Sequence, residues 1–343
     1  MSASTNEPTS SAAGWKAWLT PGLLSPLFLG MAPVLGKLAY LGGSDPFTVA
    51  ALRTTLAAVA LWVVYLLLAR RYIFIFPAGL LGCVVIGVVN GLGSLMYYNG
   101  LQLVSASVAQ VLNATYLIFV VIMTRLGGQR LTRRTTFRVL LTLIAVLILA
   151  GGSTTPSDWF GVGLMVGNAI MFAGTVILSQ RVLYEMPAPT VTLYTLTSMA
   201  VVVILARTVY PRPWLLHSDA LGPIMLLGLT TAISRLTLFT GVKHLGGLQT
   251  TLFVALETGV TLLLSLLLLP NEVLSSAQWI GIAIMGATLL LARPDDIKRR
   301  STQALPVVNM AGLGFGANVV AFDVAFGIPS ARVENDAGLP PEG

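Results

Sequence analysis

Charged side chains are scarce in this chain, and acidic ones are almost missing from its long apolar stretches. Only 10% of the 343 residues are charged, 55% are hydrophobic, and the mean hydropathy is +0.84. Soluble domains carry about 25% charged residues. The composition therefore excludes an ordinary soluble enzyme and indicates a protein that lies mostly within a lipid bilayer.

Cysteine and histidine are also rare. Cys83 is the only cysteine, which excludes a disulfide framework within the chain and favours a small buried apolar residue. The two histidines, His217 and His244, fall in loops predicted on opposite sides of the membrane. The sequence has no carboxylate pair, phosphate-binding loop or cysteine–histidine cluster, so we expect no ATP-driven step, no metal site and no cofactor. We attribute the net charge of +7 to basic loops, and we expect no nucleic-acid partner.

Ten apolar segments follow one another along the chain. A helix rises about 1.5 Å per residue, so about 20 apolar residues cross a bilayer core. The predicted segments are Leu23–Leu41, Phe47–Leu68, Gly79–Tyr98, Ser107–Thr124, Phe137–Gly151, Phe160–Leu178, Thr190–Val209, Leu221–Thr240, Leu248–Leu269 and Trp279–Ala292. The sequence therefore predicts an all-α membrane protein with ten transmembrane helices.

The chain also contains an internal repeat. The stretches 100–116 (GLQLVSASVAQVLNATY) and 241–257 (GVKHLGGLQTTLFVALE) each enter the fourth segment of a five-segment half. Because five is an odd number, the second half enters the membrane upside down. We expect two inverted five-helix repeats with a binding site near the midplane, where the halves meet. The predicted parts are a disordered cytoplasmic head (1–20), a first repeat (21–152), a second repeat (153–293) and a cytoplasmic tail (294–343).

Lysine and arginine are distributed unevenly over the predicted loops. With a cytoplasmic N-terminus, fourteen lie on the inner side and two, Arg207 and Arg212, on the outer side. The fourteen are Lys16, Arg70, Arg71, Arg125, Arg130, Arg133, Arg134, Arg138, Arg181, Lys243, Arg293, Lys298, Arg299 and Arg300. Basic residues concentrate in cytoplasmic loops. The sequence thus predicts a multi-pass protein of the plasma (inner) membrane with both termini in the cytoplasm.

Several stretches resemble the EamA-like members of the drug/metabolite transporter superfamily, over roughly residues 21–293. They are GMAPVLGK in the first segment, ALRTTLAA in the second, LVSASVAQVLNATYLIFVVIMTRLGGQRL around the fourth, and HLGGLQTTLFVALETGVTLLLSLLLLPNEVLSSAQWIGIAIMGATLL at the end. The resemblance implies a central cavity lined by the first, third and fourth helices of each half. It also implies transport of amino acids, metabolites or drugs. Arg235 stands where this family usually has an aromatic or apolar residue.

Four charged residues lie in the interior of the predicted segments, away from the segment ends where Arg138 and Arg207 lie: Lys37, Arg53, Arg235 and Glu257. Charge in the bilayer interior costs from ~2.5 to over 10 kcal/mol, so we predict that these residues contact a polar substrate. Lys37 and Arg53 have an alternative role, which is to snorkel outward or to lock the turn at Asp45. Arg235 and Glu257 either form a structural ion pair or act as a gate or substrate site. An isolated Glu257 can hold a proton, whereas pairing with Arg235 favours its charged form.

Neutral polar side chains form a further candidate set on the helices predicted to line the cavity. Each one either contacts the substrate or forms a helix–helix hydrogen bond of ~0.6–2 kcal/mol. The set comprises Asn90, Ser94 and Tyr97 on one face of the third helix, Gln110, Asn113 and Tyr116 on the fourth, and Asn168 on the sixth.

These observations predict a secondary carrier of small organic metabolites, amino acid-like or anionic, with protons as a possible coupling ion. Three intramembrane cations against one anion leave an excess of +2, which attracts anions. Two alternatives remain open. One is an exporter of drugs or cations, and the other is a membrane enzyme or receptor built on the same bundle. An enzyme or receptor would cluster its polar residues near one surface, whereas a carrier needs them at mid-depth in both halves.

The orientation is testable by cysteine-accessibility labelling in a background in which Cys83 is replaced. We expect single cysteines beside Arg70, Arg133 and Arg181 to be protected from an impermeant reagent applied to whole cells, because the basic loops face the cytoplasm. Strong labelling of the Arg133 loop from outside would overturn the orientation.

Overall fold

Every regular element that the structure describes is helical. The computed structural model describes residues 10–127, 132–151, 158–209, 217–269 and 275–290. Its α-helices are α1 (Ser10–Leu41), α2 (Pro46–Leu68), α3 (Pro77–Leu103), α4 (Ala106–Asn113), α5 (Tyr116–Leu126), α6 (Arg133–Gly151), α7 (Trp159–Glu185), α8 (Ala188–Val209), α9 (Ser218–Leu245), α10 (Gly247–Val254), α11 (Glu257–Leu268) and α12 (Ser276–Leu290). A 3₁₀ turn covers Arg70–Tyr72. The predicted tail, 294–343, lies outside the described residues.

Eight stretches within the described residues are long and apolar enough to cross a membrane. They are α1 from Leu24, α2, α3, α4 with α5, α7, α8, α9, and α10 with α11. The helix α6, of 19 residues, covers the fifth predicted segment, and α12, of 15 residues, covers the tenth as far as Leu290.

The helix bounds differ from the predicted ones in three respects. The fourth and ninth segments are each broken into two helices, at Ala114 and Thr115 and at Ala255 and Leu256. The helices α3, α7 and α9 run to 27 or 28 residues and so extend past their apolar cores. In addition, α1 begins at Ser10, inside the head that the sequence predicts to be disordered. Small and alanine-rich residues there have adequate helix propensity to continue the apolar helix.

Turn residues fix where several helices begin and end. The Asp45 side chain accepts a hydrogen bond from the Thr48 backbone N–H at 3.0 Å and so caps α2, with Pro46 in the first turn. Gly246 has a φ of 81°, a left-handed conformation that glycine adopts without strain, and it separates α9 from α10. The helix that bears Arg235 is therefore joined closely to the pair that bears Glu257.

The starts of three helices in the first half recur in the second half at one constant spacing. The helices α4 and α10 each have 8 residues, and they begin at Ala106 and Gly247. The same spacing separates the start of α3 from the start of α9, and the start of α5 from the start of α11. The two halves therefore share one succession of helices, and in each half the fourth segment is interrupted after its short first helix. We call this interval, from a residue of the first half to its counterpart in the second, the repeat spacing.

Helices of the first half pack mainly on helices of the second. The helix α1 lies against α9 and α11, α3 lies against α7 and α8, and α2 lies against α8 and α9. Polar side chains at the middle of these helices consequently face one another across the boundary between the halves.

A buried arginine links the halves near the start of α2. Arg207 is 1% exposed, and its Nε donates to Thr48 Oγ1 at 2.8 Å while its Nη2 lies 3.8 Å from Asp45 Oδ2. Arg207 lies in the last turn of α8, which ends at Val209 as predicted, and the Asp45 carboxylate compensates its buried charge. Asp45 thus pairs with Arg207, a partner that the sequence analysis did not consider.

Gly30 allows α1 to approach α11 beside Glu257. A Cβ atom added at Gly30 would lie 2.7 Å from Val260 Cβ and 2.8 Å from the Glu257 carbonyl oxygen, which is closer than van der Waals contact allows. The position of the helix that begins with Glu257 therefore depends on the absence of a side chain at residue 30.

We expect Gly30→Ala to lower the free energy of unfolding by ~1–3 kcal/mol, because the added methyl group overpacks this contact. The matched control is Gly163→Ala, at a glycine of α7 where an added Cβ meets nothing within 4 Å. The measurement is the thermal unfolding midpoint of both variants in detergent. Equal midpoints would show that α1 and α11 do not depend on close packing at Gly30.

Candidate functional site

A small cavity lies between the two halves. Its volume is about 60 Å³, which is room for about two water molecules. Its walls are formed by Phe28, Leu29, Ala32, Arg53, Asn90, Ser94, Tyr97, Tyr98, Gln110, Asn113, Asn168, Phe172, Thr231, Ser234, Arg235 and Glu257. Nine of the eleven candidate residues are therefore brought together at one place, and Lys37 and Tyr116 are not among the lining residues.

Arg53 faces the bundle interior and not the outer surface. Its side chain is 5% exposed. It donates from Nη1 to Thr231 Oγ1 at 3.0 Å and from Nη2 to Ser94 Oγ at 2.6 Å. Its Cζ also lies 4.5 Å from the centre of the Tyr98 ring. One guanidinium group thus joins α2 to α3 of its own half and to α9 of the other half.

Arg235 lies in the same cavity without the ion pair considered from the sequence. Among the residues that the structure describes, no salt bridge joins Arg235 to Glu257. The guanidinium instead lies over Phe172, with Cζ 5.8 Å from the ring centre. Arg235 therefore lies in the cavity with no carboxylate at salt-bridge distance among the described residues.

Glu257 is held by amides. It is 3% exposed, and its Oε1 accepts a hydrogen bond from Asn113 Nδ2 at 3.2 Å. Asn113 Oδ1 in turn accepts from Asn168 Nδ2 at 2.6 Å. The Gln110 side chain also lies beside the carboxylate, and its Oε1 accepts from the Tyr97 hydroxyl at 3.4 Å. One series of polar contacts therefore runs from Asn168 of α7 through Asn113 of α4 to Glu257. A second runs from Tyr97 of α3 through Gln110 of α4 to the same carboxylate.

Lys37 and Tyr116 do not line the cavity. Lys37 is a partly buried residue of α1. Tyr116 is fully buried, donates its hydroxyl to the Thr251 carbonyl oxygen at 3.3 Å, and packs its ring on Phe172 with the ring centres 4.9 Å apart. Tyr116 thus supports a residue of the cavity wall from behind.

The sequence analysis missed Tyr98, Phe172, Thr231 and Ser234 at the cavity. The internal repeat contained a signal for one of them, since Thr231 follows the candidate Asn90 by the repeat spacing. Phe172 lies four residues after Asn168 and so on the same helix face. Aromatic residues in a membrane helix resemble ordinary packing residues, which is why Tyr98 and Phe172 gave no signal.

Donors predominate among the buried lining groups that have no hydrogen-bond partner in the described structure. Four buried lining groups have no hydrogen-bond partner among the described residues, namely Arg53 Nε, Asn90 Nδ2, Arg235 Nη1 and the Tyr98 hydroxyl. Three of them are N–H groups that can only donate. Such a wall is chemically suited to an acceptor such as a carboxylate.

A family comparison accounts for both halves of the chain. The model of the EamA-like transporter family matches residues 16–151 and again residues 159–293. The chain belongs to the EamA-like transporter family. The resemblance predicted from the sequence motifs is confirmed, and the protein is a membrane protein built from two EamA repeats.

Two further similarities agree with this membership. Over 166 residues the chain is 28% identical to the uncharacterized transporter YwfM of Bacillus subtilis (strain 168), a match that covers 46% of this chain and 53% of the relative. The chain thus spans about half the length of that curated relative. A crystal structure with 21% sequence identity superposes with a TM-score of 0.63, over 84% of this chain and 99% of the other, which shows the shared fold.

Proposed function

We propose that this EamA-like protein is a secondary-active carrier of a small organic metabolite that bears a carboxylate, either an amino acid-like zwitterion or an anion. The observation that supports this most directly is the pair of buried arginines, Arg53 and Arg235, in one cavity with N–H groups that have no acceptor among the described residues. The carrier works by alternating access, in which the two halves rock about the cavity.

The membrane arrangement that we propose has ten transmembrane helices in two inverted repeats. The constant repeat spacing between corresponding helices supports the repeat. The odd number of segments in each half supports the inversion. We place both termini in the cytoplasm and the protein in the plasma membrane, on the strength of the lysine and arginine distribution.

The charge at the cavity favours an anionic group. Arg53 and Arg235 against Glu257 give a formal excess of +1 when all three are ionised. This is lower than the +2 expected from the sequence, because Lys37 does not line the cavity. Fixed positive charge in a surrounding of low dielectric attracts anions more strongly than it does in water. A ligand carboxylate would lie at the arginines.

A second group of lining residues suits a hydrogen-bond donor of the ligand. The Glu257 carboxylate and the amide oxygens of Gln110 and Asn113 are acceptors. An ammonium or hydroxyl group of the same ligand would be placed there. The arginines and these acceptors together favour an α-amino acid or a hydroxy acid over a ligand with a carboxylate alone.

The cavity must enlarge before such a ligand enters. Its volume of about 60 Å³ is far below the ~300–1,000 Å³ of typical ligand pockets. The structure therefore corresponds to a contracted state of the carrier. Separation of helices across the boundary, such as α1 from α11 or α2 from α9, would open it.

Glu257 is our candidate for a coupling proton. Asn113, Gln110, Tyr97 and Tyr116 are its neighbours on α3, α4 and α5, and Arg235 faces it from α9 without a salt bridge between them. Protonation would remove the single negative charge of the lining residues and raise the cavity charge from +1 to +2. A proton on Glu257 would thus favour binding of an anion, and linkage makes the effect reciprocal.

Ligand charge is tested with three molecules of similar size: lactate as the anion, alanine as the zwitterion and alaninamide as the cation. We expect lactate or alanine to raise the unfolding temperature of the purified protein, since a ligand at a hundred times its Kd stabilises by ~2.7 kcal/mol. Arg235→Gln should abolish the shift, whereas Arg181→Gln, at an exposed arginine of α7, should preserve it.

Tetraphenylphosphonium extends the same assay to a lipophilic cation. If tetraphenylphosphonium binds tightly and Arg235→Gln leaves its affinity unchanged, the proposal that the ligand carries a carboxylate would be contradicted. That outcome would favour a multidrug exporter, in which Glu257 would neutralise the cation.

Proton coupling is tested with Glu257→Gln in proteoliposomes. We expect this variant to reach the membrane and to lose the response of transport to an imposed pH gradient, because no other carboxylate lines the cavity in the described structure. The control is Asp219→Asn, at an exposed carboxylate at the start of α9, which should respond as the wild type does. An unchanged response in Glu257→Gln would assign Glu257 a structural role.

A further inference from the structure

Buried arginine and carboxylate groups ordinarily pair, because each compensates the burial of the other. The cavity departs from this expectation. Arg53, Arg235 and Glu257 all line it, yet in the described part of the chain no salt bridge connects Glu257 with either arginine. The carboxylate accepts the Asn113 amide instead, at 3.2 Å. Hydrogen bonds to Thr231 and Ser94 hold Arg53 in part, and a further interaction, common to both arginines, contributes to the position of the two guanidinium groups.

That interaction is with aromatic faces. Arg53 Cζ lies 4.5 Å from the centre of the Tyr98 ring, and Arg235 Cζ lies 5.8 Å from the centre of the Phe172 ring. Both distances fall within the ~6 Å range of cation–π attraction. An aromatic ring attracts a guanidinium group through its face without neutralising the charge or occupying the N–H groups at its edge.

Each of these rings is itself backed by a tyrosine. Tyr97 meets Tyr98 with ring centres 5.2 Å apart and planes at 73°, and Tyr116 meets Phe172 at 4.9 Å and 63°. Edge-to-face contacts of this kind fix the orientation of both rings. The cavity thus has two similar stacks, in which a tyrosine supports a ring and the ring supports an arginine.

We infer that Tyr98 and Phe172 are positioning residues that hold Arg53 and Arg235 apart from Glu257, so that both guanidinium groups stay available to the carboxylate of the ligand. The inference rests on the proposed function and adds the residues that set affinity for the anionic group. Without its ring, Arg235 would turn to the carboxylate that lines the same cavity, Glu257. A ligand carboxylate would then have to compete with that internal partner, and its affinity would fall.

The first test compares ring removal with ring retention. Phe172→Met keeps the apolar volume approximately but removes the ring, whereas Phe172→Tyr keeps the ring. We expect Phe172→Met to weaken lactate binding by about tenfold, the order of a desolvated cation–π contact. Phe172→Tyr should stay within about twofold of the wild type. Binding of lactamide, which has no charge, should change little in either variant. Tyr98→Met and Tyr98→Phe form the corresponding pair at Arg53.

The second test identifies the cause of the loss. If Arg235 turns to Glu257 in Phe172→Met, then Glu257→Gln removes the competitor. The Glu257→Gln substitution should therefore raise lactate affinity at least about fivefold more in the Phe172→Met background than in the wild-type background. Such a difference between backgrounds measures an energetic coupling between residues 172 and 257. A residue that merely packs beside the cavity would give additive effects. Direct titration of lactate into the four proteins measures this cycle.

The outcomes separate the two claims. Suppose that the wild-type protein binds lactate, but that the two substitutions have additive effects or that neither methionine variant loses affinity. The positioning role would then be overturned, and the proposed function would stand. Wild-type protein that binds neither lactate nor alanine would overturn the proposed function, and the positioning role would fall with it. Coupled effects with normal lactamide binding support the inference.

Discussion

A charged side chain inside a bilayer must be compensated within the protein, because lipid tails offer neither hydrogen bonds nor counter-charge. Arg53 meets this constraint by joining α2 to Ser94 of α3 and to Thr231 of α9. Glu257 meets it through Asn113, whose amide is fixed in turn by Asn168. The need to compensate these charges draws helices of both halves to one place. The same contacts leave arginine N–H groups without a hydrogen-bond acceptor among the described residues, and the carboxylate of a ligand would supply one.

The repeated scaffold carries different chemistry in its two halves. The repeat spacing places Arg235 at the position of Ser94, and Glu257 at the position of Tyr116. A neutral residue in the first half thus corresponds to a charged one in the second. Because the backbone repeats while the charges do not, the two arginines and the one carboxylate of the cavity are not related by the repeat. We expect such an asymmetric site to bind a ligand with two different ends in one orientation.

Much of this arrangement could be predicted from the sequence. The lengths of the apolar stretches predicted the helical segments, and the repeated motifs predicted the two halves. Polar residues within apolar helices predicted nine residues of the cavity wall. The partners of the charges could not be predicted, because helix rotation and side-chain rotamers depend on packing across the halves. Arg235 therefore lies over Phe172 and not against Glu257, and Asp45 pairs with Arg207. The roles of Tyr98 and Phe172 stayed hidden for the same reason, since aromatic residues are common in apolar helices.

The central claim is that a ligand carboxylate lies against the guanidinium groups of Arg53 and Arg235. Solid-state NMR measures this directly, as the distance between a ¹³C-labelled carboxylate of bound lactate or alanine and ¹⁵N-labelled arginine side chains. The account predicts a carboxylate carbon about 3–4 Å from guanidinium nitrogens, as in a charge-assisted hydrogen bond, with the signal reduced in Arg53→Met and in Arg235→Gln. A bound ligand that shows no arginine contact within about 6 Å, well beyond the reach of such a bond, would contradict the account.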